Sequence, residues 1–117
     1  MFSPQVLDHF QNPRNVGDLK DATASAQVEN PACGDVMRLS IRVEGGTIVA
    51  SAFRAQGCVP SIACGSRLTE MLKGVTLAEA RQLTREQLVQ DLGGLPHAST
   101  HAGHLAMDAL RAVLARF

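Results

Sequence analysis

Tryptophan and tyrosine are absent from the sequence and phenylalanine occurs only four times. The aromatic platforms on which single-stranded nucleic acids stack are therefore missing. An excess of one charge is missing too, because 11 Lys and Arg residues offset 11 Asp and Glu residues. They are scattered, so no field of one sign reaches toward a polyanion, and no nucleic-acid partner is expected. No apolar run approaches the roughly 20 residues of a membrane span. The opening MFSPQVLDHF has no basic segment leading into an apolar one, so no membrane association and a cytoplasmic location are expected. Cysteine is scarce and odd in number, at three. Their spacing matches no small disulfide framework, which leaves ligands, reactive thiols or core residues as readings. A Ser/His/Asp triad, a phosphate-cradling glycine loop and a paired-carboxylate site are also absent, and no enzymatic activity is expected.

What is present suits one domain over residues 1–117, since 117 residues at 45% hydrophobic content can bury an ordinary core. Ser3 and Pro4 are suited to the cap and first position of a short helix, with Val6, Leu7 and Phe10 on one face and Asn12-Pro13 as its stop. Residues 23–29 read as a weak strand. In residues 36–44, Met37, Leu39, Ile41 and Val43 alternate with Arg38, Ser40 and Arg42, the period of a half-buried strand. Glu44-Gly45-Gly46-Thr47 is a turn, and the β-branched and small residues after it complete an antiparallel hairpin. A helix follows from about Pro60 to Lys73, with Gly74 in place for a left-handed cap. Thr76 with Glu79 and Thr84 with Gln87 have capping-box spacing and predict two short helices ending at Gly93-Gly94. A last helix begins near Ser99 with Leu105, Ala109, Leu110, Val113 and Phe117 as its apolar stripe. The order of helix, three strands and helices indicates an α+β fold, a three-stranded antiparallel sheet covered by helices.

Cys33-Gly34-Asp35 places a thiol and a carboxylate in one loop, with a glycine that lets both face one point. Asp35 lies about ten residues before the hairpin turn and Ala55 about nine after it, so pairing should return Cys58 to the neighbourhood of Cys33. Cys58 also precedes a helix N-terminus, whose free N–H groups and dipole favour the thiolate that binds metal. His101, near the start of the last helix, can add a nitrogen. The set Cys33, Asp35, Cys58 and His101 suits tetrahedral Zn²⁺ or an iron–sulfur cluster. With no CxxC pair, spacing alone leaves ordinary loop and core cysteines as an equal reading. Asp35 also reads as a turn residue, and His101 as a helix-start histidine bonded to backbone. Cys64 shares a helical face with Ser61, Leu68, Met71 and Leu72 and reads first as a buried hydrophobe, then as a possible alternative thiol. His97 and His104 read as solvated, and His9 is given no role beyond capping or packing.

The strings Asp8-His9-Phe10-Gln11-Asn12-Pro13-Arg14-Asn15-Val16-Gly17, Pro31-Ala32-Cys33-Gly34-Asp35-Val36 and Gly57-Cys58 resemble the IscU and NifU N-terminal-domain iron–sulfur scaffolds. The resemblance continues through Leu95-Pro96, His101, Leu105-Ala106 and Asp108-Ala109, nearly the whole chain. It implies an α+β fold with a three-stranded antiparallel sheet and assembly of a [2Fe–2S] cluster, with Zn²⁺ as an alternative occupant. A cysteine desulfurase and recipient apoproteins are the implied partners. It carries the family's two cysteines, aspartate and histidine onto Cys33, Cys58, Asp35 and His101.

The chain departs from the family at the third cysteine, a ligand and sulfur acceptor, where Ala102 stands. Leu95-Pro96-His97-Ala98-Ser99 replaces the family's Leu-Pro-Pro-Val-Lys, so recognition by an Hsp70-type chaperone is not expected to carry over. Two further readings follow from these departures. One is a non-catalytic Zn²⁺-binding paralogue acting as an adaptor or regulator. The other is a sulfur acceptor using Cys64 or Cys58 as a persulfide carrier.

Overall fold

The computed structural model describes residues 1–31 and 34–117. Its sheet grows from the hairpin, whose tip carries Gly45 and Gly46 at φ +58° and +79°. A left-handed conformation at both central positions is what lets two residues join twisted antiparallel strands, and glycine adopts it without steric cost. The flanking strands are β2 (Val36–Glu44) and β3 (Thr47–Gln56), and β1 (Ala24–Glu29) adds to the free edge of β2, giving the antiparallel order β1-β2-β3. A register shift between Arg42 and Val43 absorbs one extra residue near the tip. From there the ladder runs to Val36 opposite Gln56, which brings Asp35 level with Gly57 and Cys58.

The alternation read from the sequence decides which face is covered. Met37, Leu39, Ile41 and Phe53 are buried on one side of the sheet, while Arg38 and Arg42 lie on the other and pair with Asp18 and Asp21. Two helices cover the apolar side, α2 (Val59–Leu72) and the last helix, which is α5 (Thr100–Leu114). Leu68, Leu72, Leu105, Leu110 and Val113 carry the core between them and the sheet. Gly65 lets α2 approach closely, since a Cβ there would fall 2.5 Å from the Phe53 ring. The short helices α3 (Leu77–Arg81) and α4 (Arg85–Asp91) begin at Thr76 and Thr84, and both capping boxes form. A 3-10 turn over His97–Ser99, which the sequence does not announce, leads into α5. Among the described residues no helix is long and apolar enough to cross a membrane.

Two expectations are corrected. Helix α1 (Pro4–Gln11) is capped by Ser3 as expected, but Leu7 and Phe10 are exposed and the buried residues are Val6 and His9. Phe117 lies beyond the end of α5 and is exposed, so the apolar stripe stops at Val113 and Leu114. In both places helical periodicity places residues on one stripe, but the neighbouring elements determine how far that stripe is covered.

His9 joins α1 to α2. Its Nδ1 lies 2.7 Å from the Ser66 hydroxyl and its Nε2 3.3 Å from a Glu70 carboxylate oxygen. The Arg14 backbone N–H donates to the same Ser66 oxygen at 2.9 Å, leaving the Ser66 O–H to donate to Nδ1 and the Nε2–H to face Glu70. A neutral imidazole satisfies this arrangement. Burial, followed by the nearby Arg14 charge, holds the His9 pKa below its ordinary 6.5, with Glu70 and Asp8 opposing in part. Because the folded value is the lower one, the contribution is present above the unfolded pKa and is lost as pH falls through the folded one. The urea-midpoint gap between the wild-type protein and His9→Gln is therefore expected to narrow as pH drops below 6.5. A constant gap measured across that range would contradict this account.

Candidate metal centre

Three chain segments converge where the hairpin meets the two covering helices. Asp35 immediately precedes β2, Cys58 sits between β3 and α2, and His101 is the second residue of α5. The loop before β2 is closed by the Gly34 N–H donating to the Asn30 carbonyl at 2.7 Å and the Asn30 N–H donating to the Asp35 carbonyl at 2.8 Å. Gly34 is left-handed at φ +76°, the turning role expected of it. Cys58 is the N-cap of α2, with extended backbone at φ −79° and ψ 171°, and its side chain caps none of the helix's own N–H groups. The thiol is free to face Asp35 and His101 instead.

Their contacts are close. Cys58 Sγ donates to Asp35 Oδ2 at 3.3 Å and lies 3.5 Å from His101 Nε2, and that nitrogen is 3.7 Å from Asp35 Oδ2. Among the described residues these three form a group whose ligand atoms all lie within 4.8 Å of one another. At ordinary Zn–S, Zn–N and Zn–O bond lengths, a tetrahedral ion separates its ligand atoms by about 3.4–3.6 Å. The observed triangle of 3.3, 3.5 and 3.7 Å thus suits three corners of such a tetrahedron with little rearrangement. The donor set of soft sulfur, imidazole nitrogen and carboxylate oxygen also fits Zn²⁺ or an iron centre.

Asp35 is buried, and Gly57 is the reason its carboxylate fits. A Cβ built on Gly57 would fall 2.5 Å from Asp35 Cγ and under 3 Å from both carboxylate oxygens. The Ser61 hydroxyl, fully buried in the first turn of α2, donates to Asp35 Oδ2 at 2.7 Å and touches Cys58 Sγ at 3.3 Å. Burial pushes the Asp35 pKa up. Donation from Ser61, from the Cys58 thiol and from the Cys58 backbone N–H, together with the His101 charge, outweighs burial and holds the carboxyl below its ordinary 3.8.

Of the residues expected at the site, the structure brings together Asp35, Cys58 and His101, and Cys33 lies outside the described residues. Cys64 is fully enclosed in the core, and burial, then the proximity of Cys58, pushes its thiol up to about 12. His97 and His104 are exposed, as the solvated reading expects. Ala102, the neighbour of His101, is fully buried within the hydrophobic core. Sequence reasoning passed over Gly57 and Ser61 as parts of the site. Ser61 carried a signal, because a polar residue three positions after an N-cap can reach back to it, as in a capping box.

Two outcomes test this geometry. Gly57→Ala is expected to displace the Asp35 carboxylate and weaken Zn²⁺ binding by roughly tenfold, read by competition with a chromophoric chelator. Unchanged affinity would mean that the close approach is not needed. In a Cys33→Ser/Cys58→Ser protein, Cys64 is expected to resist maleimide until denaturant is added, so labelling of the folded protein would show that its enclosure opens.

Comparison with known proteins gives the family of the chain. A family model described as the NifU-like N terminal domain matches residues 1–117. The iron-sulfur cluster assembly scaffold protein IscU 1 of Archaeoglobus fulgidus is 48% identical over 111 residues, covering 95% of this chain and 72% of that one. The protein of the same description, IscU, from Azotobacter vinelandii is 44% identical over 117 residues, covering 97% and 91%. Among solved structures, a putative iron-sulfur cluster assembly scaffold protein for the SUF system from Fervidobacterium islandicum superposes with a TM-score of 0.72 at 20% identity, covering 97% and 96%, a likeness of fold. With its whole length matched and its α+β architecture shared, the chain belongs to the NifU-like N-terminal domain family.

Proposed function

We propose that the protein is an iron–sulfur cluster assembly scaffold or carrier, in which Cys33, Asp35, Cys58 and His101 hold a [2Fe–2S] cluster or Zn²⁺. The observation that carries this reading is the triangle of sulfur, nitrogen and oxygen at tetrahedral separations, built by three different elements. As a thiol, Cys58 satisfies this convergence by donating to Asp35. Once Cys58 is a thiolate it faces a carboxylate held ionised by its donors, and two anions this close repel strongly unless a positive centre sits between them. The names of the IscU relatives, cluster assembly scaffolds at 48% and 44% identity, support the same reading.

As cargo, a [2Fe–2S] cluster would meet two sulfur donors, one oxygen donor and one nitrogen donor. Replacing a thiolate by a neutral imidazole lowers the negative charge on a cluster, and replacing one by a carboxylate keeps the charge but supplies a harder donor, so both change its potential and a site with fewer thiolates holds it less firmly. That suits an assembly in which the cluster is built and then passed on. A cysteine desulfurase is the proposed sulfur source, and recipient apoproteins are the proposed acceptors. The protein's own contribution is to hold and orient ligands rather than to catalyse a reaction of its own.

One observation favours the Zn²⁺-binding adaptor as a second reading. The residue after His101 is Ala102, whose methyl group is packed in the core and can neither ligate nor carry sulfur. Anaerobic reconstitution with iron, cysteine and a desulfurase, followed by iron and acid-labile sulfide analysis, separates the two. Equal iron and sulfide, lost in Cys33→Ser and in Cys58→Ser, is the expected result. Zn²⁺ retained with no sulfide incorporated would replace the scaffold with the adaptor, and full metal content in both variants would remove the site itself.

A further inference from the structure

Asp35 is the ligand whose geometry is least determined by its own covalent structure. The terminal torsion of an aspartate is soft, so its two oxygens exchange places at little cost unless something else fixes them. In this site one oxygen, Oδ2, lies nearest both Cys58 Sγ and His101 Nε2. The Ser61 hydroxyl donates to that same oxygen, at 2.7 Å, the shortest contact in the cluster. Ser61 is the third residue of α2 and fully buried, and the carboxylate also fills the space that a Cβ on Gly57 would occupy.

We propose that Ser61 is a positioning residue of the metal centre, selecting which Asp35 oxygen faces the shared point between Cys58 and His101. This rests on the reading of Asp35, Cys58 and His101 as ligands given above. The oxygen that accepts the Ser61 hydrogen bond keeps a second lone pair for a metal ion, so donation and ligation are compatible. The buried hydroxyl has no solvent to replace it, and its loss leaves the carboxylate free to turn. The hydroxyl does not itself compete for the ion, because a thiolate, an imidazole and a carboxylate are all better donors to Zn²⁺. Ser61 therefore acts through Asp35, as groups that hydrogen-bond to metal ligands commonly do, with effects of about 10–100-fold on affinity.

A thermodynamic cycle tests this with Zn²⁺ as the probe and the full chain as the protein, each variant first shown to keep the wild-type metal-free melting temperature. Ser61→Ala is expected to weaken Zn²⁺ binding by about tenfold. In an Asp35→Ala background it is expected to cause no further loss, because residues acting as one unit are not additive. Bound Co²⁺ supplies a second reading. Ser61→Ala should shift its visible ligand-field bands toward those of Asp35→Ala and leave the sulfur-to-cobalt band of Cys58 intact. Ser61→Thr, which keeps the hydroxyl, should retain the wild-type spectrum and so tests the idea even if Ser61→Ala does not fold. Equal losses in both backgrounds, wild-type affinity in Ser61→Ala, or an altered spectrum in a folded Ser61→Thr would each overturn the proposal. Failure of the ligand reading looks different, since Cys58→Ser would then bind Zn²⁺ and Co²⁺ as tightly as the wild-type protein does.

Discussion

The register between β2 and β3 is the constraint on which the rest of the molecule depends. Two left-handed glycines set the tip of the hairpin, one register shift corrects its count, and the ladder then delivers Asp35 beside Gly57 and Cys58. A slip of one residue would reverse every side chain, taking Met37, Leu39 and Ile41 out of the core and placing Arg38 in it. Hydrophobic burial therefore enforces the same alignment that assembles the site. Helix α2 inherits its position from the end of β3, and α5, packed beside it on the same face of the sheet, brings in His101. The candidate centre is an outcome of core packing, with few contacts devoted to it alone.

Electrostatically the centre is compact. A carboxylate, a thiol and an imidazole share one small volume, and the groups that steady the carboxylate are a hydroxyl, a thiol and a backbone N–H. No Lys or Arg is among them. An arginine would satisfy Asp35 permanently, since a guanidinium cannot give up its charge and matches a carboxylate in a two-pronged fit. Neutral donors keep the carboxylate ionised without occupying the place of a cation. The ion pairs of Arg38, Arg42 and Arg54 with Asp18 and Asp21 are instead confined to the far face of the sheet.

Much of this was legible in the sequence, for identifiable reasons. The alternation of Met37 to Val43, the double glycine and the Thr-to-Glu and Thr-to-Gln spacings are local signals, and each produced the element it announces. That the loop of Asp35 would meet Cys58 was legible because hairpin counting is arithmetic, whereas His101 was offered only by its place at the start of the last helix and by the family resemblance. What could not be read was set by partners distant in sequence. His9 is buried because Ser66 and Glu70 receive it, whereas Leu7 and Phe10 on the same helix are left partly exposed among the described residues. Gly57 looked like a strand terminator. Its second role appears only when the Asp35 carboxylate is found in the space a side chain would fill. The 3-10 turn before α5 has no such distinctive residue pattern, and it leads directly into the helix that carries His101.

The contact of Gly65 with Phe53 bears on how firmly the sulfur of Cys58 is held. Where helix and sheet are separated by no more than a glycine, one cannot slide along the other without driving a side chain into the Phe53 ring. Helix α2 is thereby locked in its axial position, and with it Cys58, the residue at its tip. Asp35 and His101 reach the same point from the residue before β2 and from the first turn of α5. Of the three candidate donors, the sulfur of Cys58 is thus the one whose place is set by a helix wedged against the sheet, so the hairpin and α2 carry it as one rigid piece.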